Sequence, residues 1–145
     1  MIAVDTNLLV YAHRADSPFH QIAFRRLAEL AEGLANWAIP WPCLHEFIGV
    51  VTNTRIYAPP STLEEAFDQV EAWLASPSLV LIAESTTHWP TLRTVLATSR
   101  CTGPQVHDAR VAAICRQHGV REIWSADRDF TRFEDVSVVN PLLRQ

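Results

Sequence analysis

Residues 1–13 read MIAVDTNLLVYAH. Four apolar residues, Met1 to Val4, lead into an aspartate, and the apolar run resumes at Leu8. Ile2 to Asp5 has the make-up of a short buried strand, and the residues after it have that of a helix reaching Tyr11 or His13. Asp5 therefore stands at the carboxyl end of a strand. An aspartate there can cap the next helix, or it can hold negative charge where a divalent cation sits. The two readings part on one question: do other carboxylates reach the same place?

Outward from this stretch, strands and helices alternate along the chain. From Phe19 to Gly33 the apolar residues Ile22, Ala23, Leu27, Leu30 and Ala31 recur at helical spacing, with Gly33 as the stop. WAIPW at 37–41 reads as a strand, and Pro42 sits where a first helical turn tolerates it, ahead of CLHEFIGVVTN at 43–53. RIYAPPST at 55–62 is a loop. Ser61 or Thr62 caps a helix carrying Leu63 to Leu74, and Ser61 with Glu64 has the spacing of a capping box. SLVLIA at 78–83 is the third strand, Trp89 to Ala97 a helix, and SRCTG its break. Pro104 to His118 forms a further helix ended by Gly119. REIWSAD at 121–127 is a strand, DRDF a tight turn and VSVV at 136–139 the last strand. This order predicts an α/β fold with three layers, α/β/α, around a central, mostly parallel sheet. Ligands of such sheets bind beyond the carboxyl ends of the strands, where Asp5 and Asp127 both fall.

Composition sets bounds on this picture. The 145 residues are expected to form a single domain, residues 1–145, large enough to bury about 70% of the unfolded chain's surface. A hydrophobic fraction of 48% and a charged fraction of 19% speak against disorder. No basic start precedes a long apolar core, and the apolar stretches are far too short for a bilayer. A cytoplasmic protein without signal peptide or membrane contact is expected. Cys43, Cys101 and Cys115 are an odd number with no CxxC pair, which argues against a disulfide framework or zinc knuckle and for buried, reduced thiols. The net charge of −4 does not advertise a nucleic-acid binder. Yet all twelve basic residues are arginine, the better fork for phosphate oxygens, so the charge balance leaves a polyanionic substrate open.

The acids decide the question. At about 100° per residue, Asp108 shares a helix face with Val111, Ala112 and Cys115, while Arg110 and Gln117 look the other way. An ionised carboxylate on a buried face needs a partner. Singly, Asp108 could serve the helix dipole or meet an arginine. Glu46 lies at the edge of the apolar arc of Leu44, Phe47, Ile48 and Val51, where a glutamate ordinarily reaches water. HEFIG lacks the second histidine of a zinc-protease helix, since Gly49 stands there. Asp127 and Asp129 flank Arg128; both could merely stabilise a turn, and that reading suits Asp129 better than Asp127. Each acid is explicable alone. Converging without a cation, they would force like charges together and raise one another's pKa. Mg2+ or Mn2+, hard ions that prefer oxygen, would resolve the conflict. The six histidines show no metal-ligand spacing, and His107, beside Asp108 but rotated away, reads as surface.

DTNLLVY at the start, HEF in the third helix, HDARVAAIC around Asp108 and SADRDF near the end resemble the PIN-domain ribonucleases. More closely, they resemble the VapC toxins of bacterial type II toxin–antitoxin modules, over essentially the whole chain. By this resemblance Asp5, Glu46, Asp108 and Asp127 match the family's acidic quartet, Thr6 and Ser125 its hydroxyl positions near the metal, and Asn7 completes the D-T-N start. Asp129 matches a frequent but less essential acid. The resemblance implies an Mg2+- or Mn2+-dependent endoribonuclease that cleaves single-stranded or looped RNA through a metal-activated water. Asp5 and Asp108 would be direct ligands, with Asp127 joining them or holding a second ion. Glu46 would orient or deprotonate the water, and Thr6 and Ser125 would position acids or waters.

The resemblance also implies a homodimer and a VapB-like antitoxin that covers the acidic groove and offers it an arginine. The helix pair near 19–33 and 61–75 is the expected contact, with Trp37, Phe67 and Trp73 as aromatic surface, although core packing is the commoner fate of each singly. Two other classes compete. A phosphoacceptor signalling domain also presents a strand-end aspartate but needs a late lysine, and the chain has none; an aspartyl-nucleophile phosphatase would carry Asp where Asn7 stands. A catalytically idle binding domain would use its acids for structure alone.

Overall fold

The computed structural model describes residues 1–143. Five strands form one all-parallel sheet: β1 (Ile2–Val4), β2 (Trp37–Pro40), β3 (Leu79–Ile82), β4 (Glu122–Trp124) and β5 (Ser137–Val139), in the order β3-β2-β1-β4-β5. Six helices connect them: α1 (Thr6–His13), α2 (His20–Glu32), α3 (Trp41–Val51), α4 (Leu63–Leu74), α5 (His88–Ser99) and α6 (Val106–Gln117). The expected mostly parallel sheet is thus parallel throughout, with Ile2 opposite Trp37 on one side and Glu122 on the other.

The strand order explains where a site can form. From β1 the chain steps outward through β2 to β3, then returns across β1 to build β4 and β5. Right-handed crossovers in opposite directions put their helices on opposite faces. Accordingly α1 packs on α2 and α3, and α3 on α4, while α5 packs on α6. Covered on both faces, β2 is buried at every position. The direction of winding reverses between β1 and β4, and such a reversal opens a crevice at the carboxyl ends of the two strands. Asp5 follows β1 directly, and Ser125, Ala126 and Asp127 follow β4.

Local details depart from the sequence reading in instructive ways. Thr62, not Ser61, caps α4: its hydroxyl accepts from the Glu65 amide at 3.1 Å, and the Glu65 carboxylate accepts from the Thr62 amide at 2.9 Å. Two adjacent S/T-x-x-E registers compete here, and Ser61 is engaged elsewhere, within 2.9 Å of His13 Nε2. Trp37 and Trp73 are core residues at 0% and 6% exposure, and only Phe67 of the three suggested surface aromatics is exposed. Trp37 tolerates full burial because its indole N–H donates to Ser76 Oγ at 3.1 Å. The segment expected as a helix from Pro104 begins as a 3-10 turn, Gly103–Gln105, before α6, and DRDF winds into a 3-10 helix, Arg128–Arg132. Gly119, at φ +68°, closes α6 in a left-handed conformation. Cys43, Cys101 and Cys115 are all buried free thiols. Among the described residues, no helix is long and apolar enough to cross a membrane.

The capping register yields a direct test. Glu65→Ala and Thr62→Ala should each lower stability by about 1 kcal/mol, while Glu64→Ala should stay within about half of that. Urea unfolding of the three variants reads the difference, and a larger loss at Glu64 would contradict the assigned register.

Candidate active site

Asp5 caps a helix with one oxygen and leaves the other to a second set of contacts. It ends β1, donating its backbone N–H to the Trp124 carbonyl at 3.0 Å, and its Oδ1 accepts from the Thr6 amide at 2.8 Å, which caps α1. The other oxygen, Oδ2, accepts from Ser125 Oγ at 2.8 Å and from Asn7 Nδ2 at 3.3 Å. Cys43 Sγ adds a long contact to Oδ1 at 3.7 Å. Asn7 then reaches across the strand boundary: Nδ2 lies 3.3 Å from Ser125 Oγ, and Oδ1 accepts from the Ala126 amide at 3.1 Å. Ser125 Oγ also accepts from the Asp127 amide at 3.0 Å. Thr6, Asn7, Ser125 and Asp127 are therefore parts of one hydrogen-bonded unit built on the ends of β1 and β4.

The remaining acids come to this unit from the helices and the 3-10 turn. One oxygen from each of Asp108, Asp127 and Asp129 lies within 4.8 Å of the others. Asp127 also does the turn work considered for it, its Oδ1 accepting from the Asp129 amide at 2.8 Å. Asp129, read as a turn residue, is in that turn and also in the tight acidic set. Asp5 and Glu46 stand outside the set but line one hollow with Asp108 and Asp127. Glu46 is exposed on α3, as its edge position implied.

Electrostatics report the crowding. Burial pushes the Asp5 carboxyl above its ordinary value; the Ser125 and Thr6 bonds pull it back, and the nearby Glu46 charge adds to the rise. Asp108 is pushed up to about 6, first by burial and then by the charges of Asp127, Asp5, Asp129 and Glu46. No arginine ion-pairs with Asp5, Asp108 or Asp127 among the described residues; Arg110 pairs with Glu84 at 2.6 Å instead. Among the described residues Asp108 therefore has no arginine partner to account for it. The donor set is all oxygen. Cys43 and Cys115 are no rival soft ligands, since burial and then the Asp5 charge raise both thiols, Cys115 to about 12. These residues fit a hard divalent cation.

Two hollows flank the acids. One, about 300 Å3, is lined by Asn7, Val10, Tyr11, Val50 and Tyr57 beside the carboxylates. The other, about 310 Å3, has Pro42, His45, His107 and Arg110 around Asp5, Glu46 and Asp108. His107 is exposed as expected, yet it borders the site. Cys43, Tyr11, Tyr57, His45 and Arg110 went unremarked in the sequence as site residues. Their only signal is proximity in space.

A parallel α/β/α sandwich with carboxylates gathered where its winding reverses defines a class of acidic-site domains, and comparison with known proteins narrows it. The PIN-domain family model matches residues 2–136. Ribonuclease VapC43 of Mycobacterium tuberculosis is 34% identical over 142 residues, covering 98% of this chain and 96% of the relative. Ribonuclease VapC48 of the same organism is 31% identical over 137 residues, covering 94% of each. In structure, VapBC2 from Rickettsia felis, solved bound to a DNA fragment from the promoter, superposes with a TM-score of 0.68 at 21% identity, covering 97% of this chain and 98% of that one; it speaks for the fold alone. The chain belongs to the PIN-domain family, in its VapC branch.

The raised carboxyls have a consequence for stability. A carboxyl whose folded value lies above its unfolded value binds more protons folded than unfolded, so stability falls as pH rises through that window. For Asp108 the window runs from 3.8 to about 6, and Asp5 shifts the same way. In chelator, the urea midpoint should therefore drop between about pH 4.5 and about pH 7. Asp108→Asn should raise the midpoint at the higher pH and flatten the drop. A wild-type midpoint that climbs across this range would show that the acids do not crowd one another.

Proposed function

We propose that this protein is a divalent-metal-dependent endoribonuclease, the toxin of a type II toxin–antitoxin module, cytoplasmic, with Mg2+ or Mn2+ as its cofactor and residues 1–145 as a single PIN-like domain. The observation that carries the reading is the convergence of Asp5, Glu46, Asp108 and Asp127 on one hollow, with the Asp108 carboxyl pushed up to about 6 by burial and by its like-charged neighbours. The naming of relatives at 31% and 34% identity as VapC ribonucleases supports it.

In this reading Asp5, Asp108 and Asp127 hold the ion. A bound divalent cation there supplies a water of lowered pKa and neutralises charge on the phosphoryl oxygens. Glu46, exposed beside the hollow, orients the attacking water and takes its proton. Ser125 and Asn7 fix the Oδ2 edge of Asp5 and the Thr6 amide fixes Oδ1, so the carboxylate meets the ion without reorganising. Asp129 keeps Asp127 in place through its amide and adds charge to the same corner. The phosphoacceptor alternative lacks its lysine. The aspartyl-nucleophile phosphatase lacks its second aspartate, since Asn7 stands there with both ends of its amide hydrogen-bonded. An idle binding domain would leave the raised carboxyls without any compensating ligand.

The partners proposed are RNA as substrate, a second copy of the chain in a homodimer, and a VapB-like antitoxin. The α2–α4 side offers the antitoxin a hollow of about 260 Å3 lined by Phe24, Leu27, Ala31, Gln69 and Trp73.

Purified protein should cleave single-stranded RNA with Mg2+ or Mn2+ and stop on chelation. Asp5→Asn and Asp108→Asn should fold and lose at least roughly a hundredfold in kcat. Full activity in either pure variant would remove it from the ligand set, and metal-independent cleavage would overturn the mechanism. Co-expression with a neighbouring small open reading frame should yield a complex in which cleavage is silenced; an active toxin in that complex would contradict the proposed partner.

A further inference from the structure

The two hollows beside the acids differ in chemistry. Arg110, His45 and His107 border one, whereas among the described residues no basic side chain lines the other. A phosphate entering the second would meet four carboxylates and no positive side chain to offset them. A flat, neutral group would instead meet Val10 and Val50 and the rings of Tyr11 and Tyr57.

Tyr57 is held ready for such a contact. It lies in the loop between α3 and α4, its amide bonded to the Asn53 carbonyl at 3.0 Å. The Arg14 guanidinium sits 4.0 Å from its ring centroid. That guanidinium is itself fixed, with Nε and Nη2 on the two Asp16 oxygens at 2.9 and 2.6 Å and further bonds to the Pro59 carbonyl and Ser61 Oγ at 3.1 and 3.3 Å. Arg14 lines a separate hollow with Asp16, Pro59 and Ser61, whereas the Tyr57 ring that it covers lines the acidic groove. Tyr11 is steadied by Phe19, the ring centroids 5.1 Å apart. Among the described residues neither phenol oxygen makes a hydrogen bond, leaving both for a ligand. A ring ordered in advance loses little entropy on contact, and aromatic side chains on unpaired bases are the usual means of gripping a single strand.

We infer that Tyr57, backed by Arg14 and flanked by Tyr11, is a stacking platform for an unpaired nucleobase next to the cleaved phosphodiester, an assignment that rests on the ribonuclease reading above. The bland alternative is that Tyr57 merely plugs the loop against Arg14. It predicts effects on folding and none that depend on the substrate's base.

The test is steady-state cleavage of short single-stranded RNAs in which each position in turn is made abasic. It uses wild type, Tyr57→Leu, which keeps apolar bulk beside Arg14, and Tyr57→Trp. One abasic position beside the cleaved bond should raise KM roughly tenfold in wild type and in Tyr57→Trp. Tyr57→Leu should show a comparable rise in KM on intact RNA, with kcat little changed, and no further penalty at the abasic position. Equal abasic penalties in wild type and Tyr57→Leu would overturn the inference. So would a flat scan in wild type, which needs no variant to fold. RNA cleaved with a flat scan sinks this inference alone, whereas RNA left intact by the wild-type chain with metal sinks the ribonuclease reading and this inference together.

Discussion

The structure turns on one buried carboxylate. Asp5 has 8% of its surface exposed at the seam between β1 and β4, and burying an ionised group without partners costs on the order of several kcal/mol. The fold offsets that cost by bringing the seam to it. The Ser125 hydroxyl, the Asn7 amide and the Thr6 backbone N–H all converge on its two oxygens. Because Asn7 and Ser125 also bond to Ala126 and Asp127, the position of Asp127 follows from that of Asp5. The seam is where the winding of the sheet reverses, so the crevice that admits a ligand and the charge that receives it share one cause.

Compensation at Asp5 is partial by design of the site. Its hydrogen bonds lower the carboxyl's pKa, yet burial and Glu46 leave it raised, and Asp108 is raised too, by burial and by four like charges. A domain selected for stability alone would have set an arginine among these acids. Among the described residues only the exposed Asp129 meets one, Arg132 at 4.0 Å, while Arg110 pairs with Glu84, Arg116 with Asp135 and Arg14 with Asp16. In the proposed reading, this leaves the charge unspent for an ion from solution. In the proposed role, stability and function pull against each other at Asp108.

What could be read from the chain divides along physical lines. Alternating periodicity fixes the order of strands and helices, and the helical face shared by Asp108, Ala112 and Cys115 betrays a carboxylate aimed inward. These are signals within one element. Registers one residue apart are different: Ser61–Glu64 and Thr62–Glu65 are equally good capping boxes on paper, and a contact from distant His13 selects between them. Burial of Trp37 likewise depends on Ser76, which supplies an acceptor from 39 residues away. Asn7 and Ser125, 118 residues apart, were legible only as motif letters; their bond to one another belongs to the sheet order. Asp129 misleads because a turn role and a place in the acidic set coexist. Tyr57 gives no local signal, since its neighbours in RIYAPP say loop and its partner Arg14 lies across the fold.

An acidic chain that grips a polyanion must find its affinity locally. With net charge −4 there is no long-range attraction to exploit, and the release of counterions by a basic face, which drives most nucleic-acid binding, is weak here. Arg110 at the groove is already held by Glu84 at 2.6 Å, which blunts its charge. Close terms are left: a divalent ion cancelling repulsion at one phosphate, and apolar or aromatic contact where no phosphate needs to go. The carboxylates lie between a side bordered by His45, His107 and Arg110 and a side bordered by Tyr11 and Tyr57, so the aromatic contact has its own place next to the acids. Contacts of that kind depend on an accessible base and on strand geometry more than on charge density. A duplex, with its bases stacked inside and its phosphates outermost, presents this groove with its least favourable face.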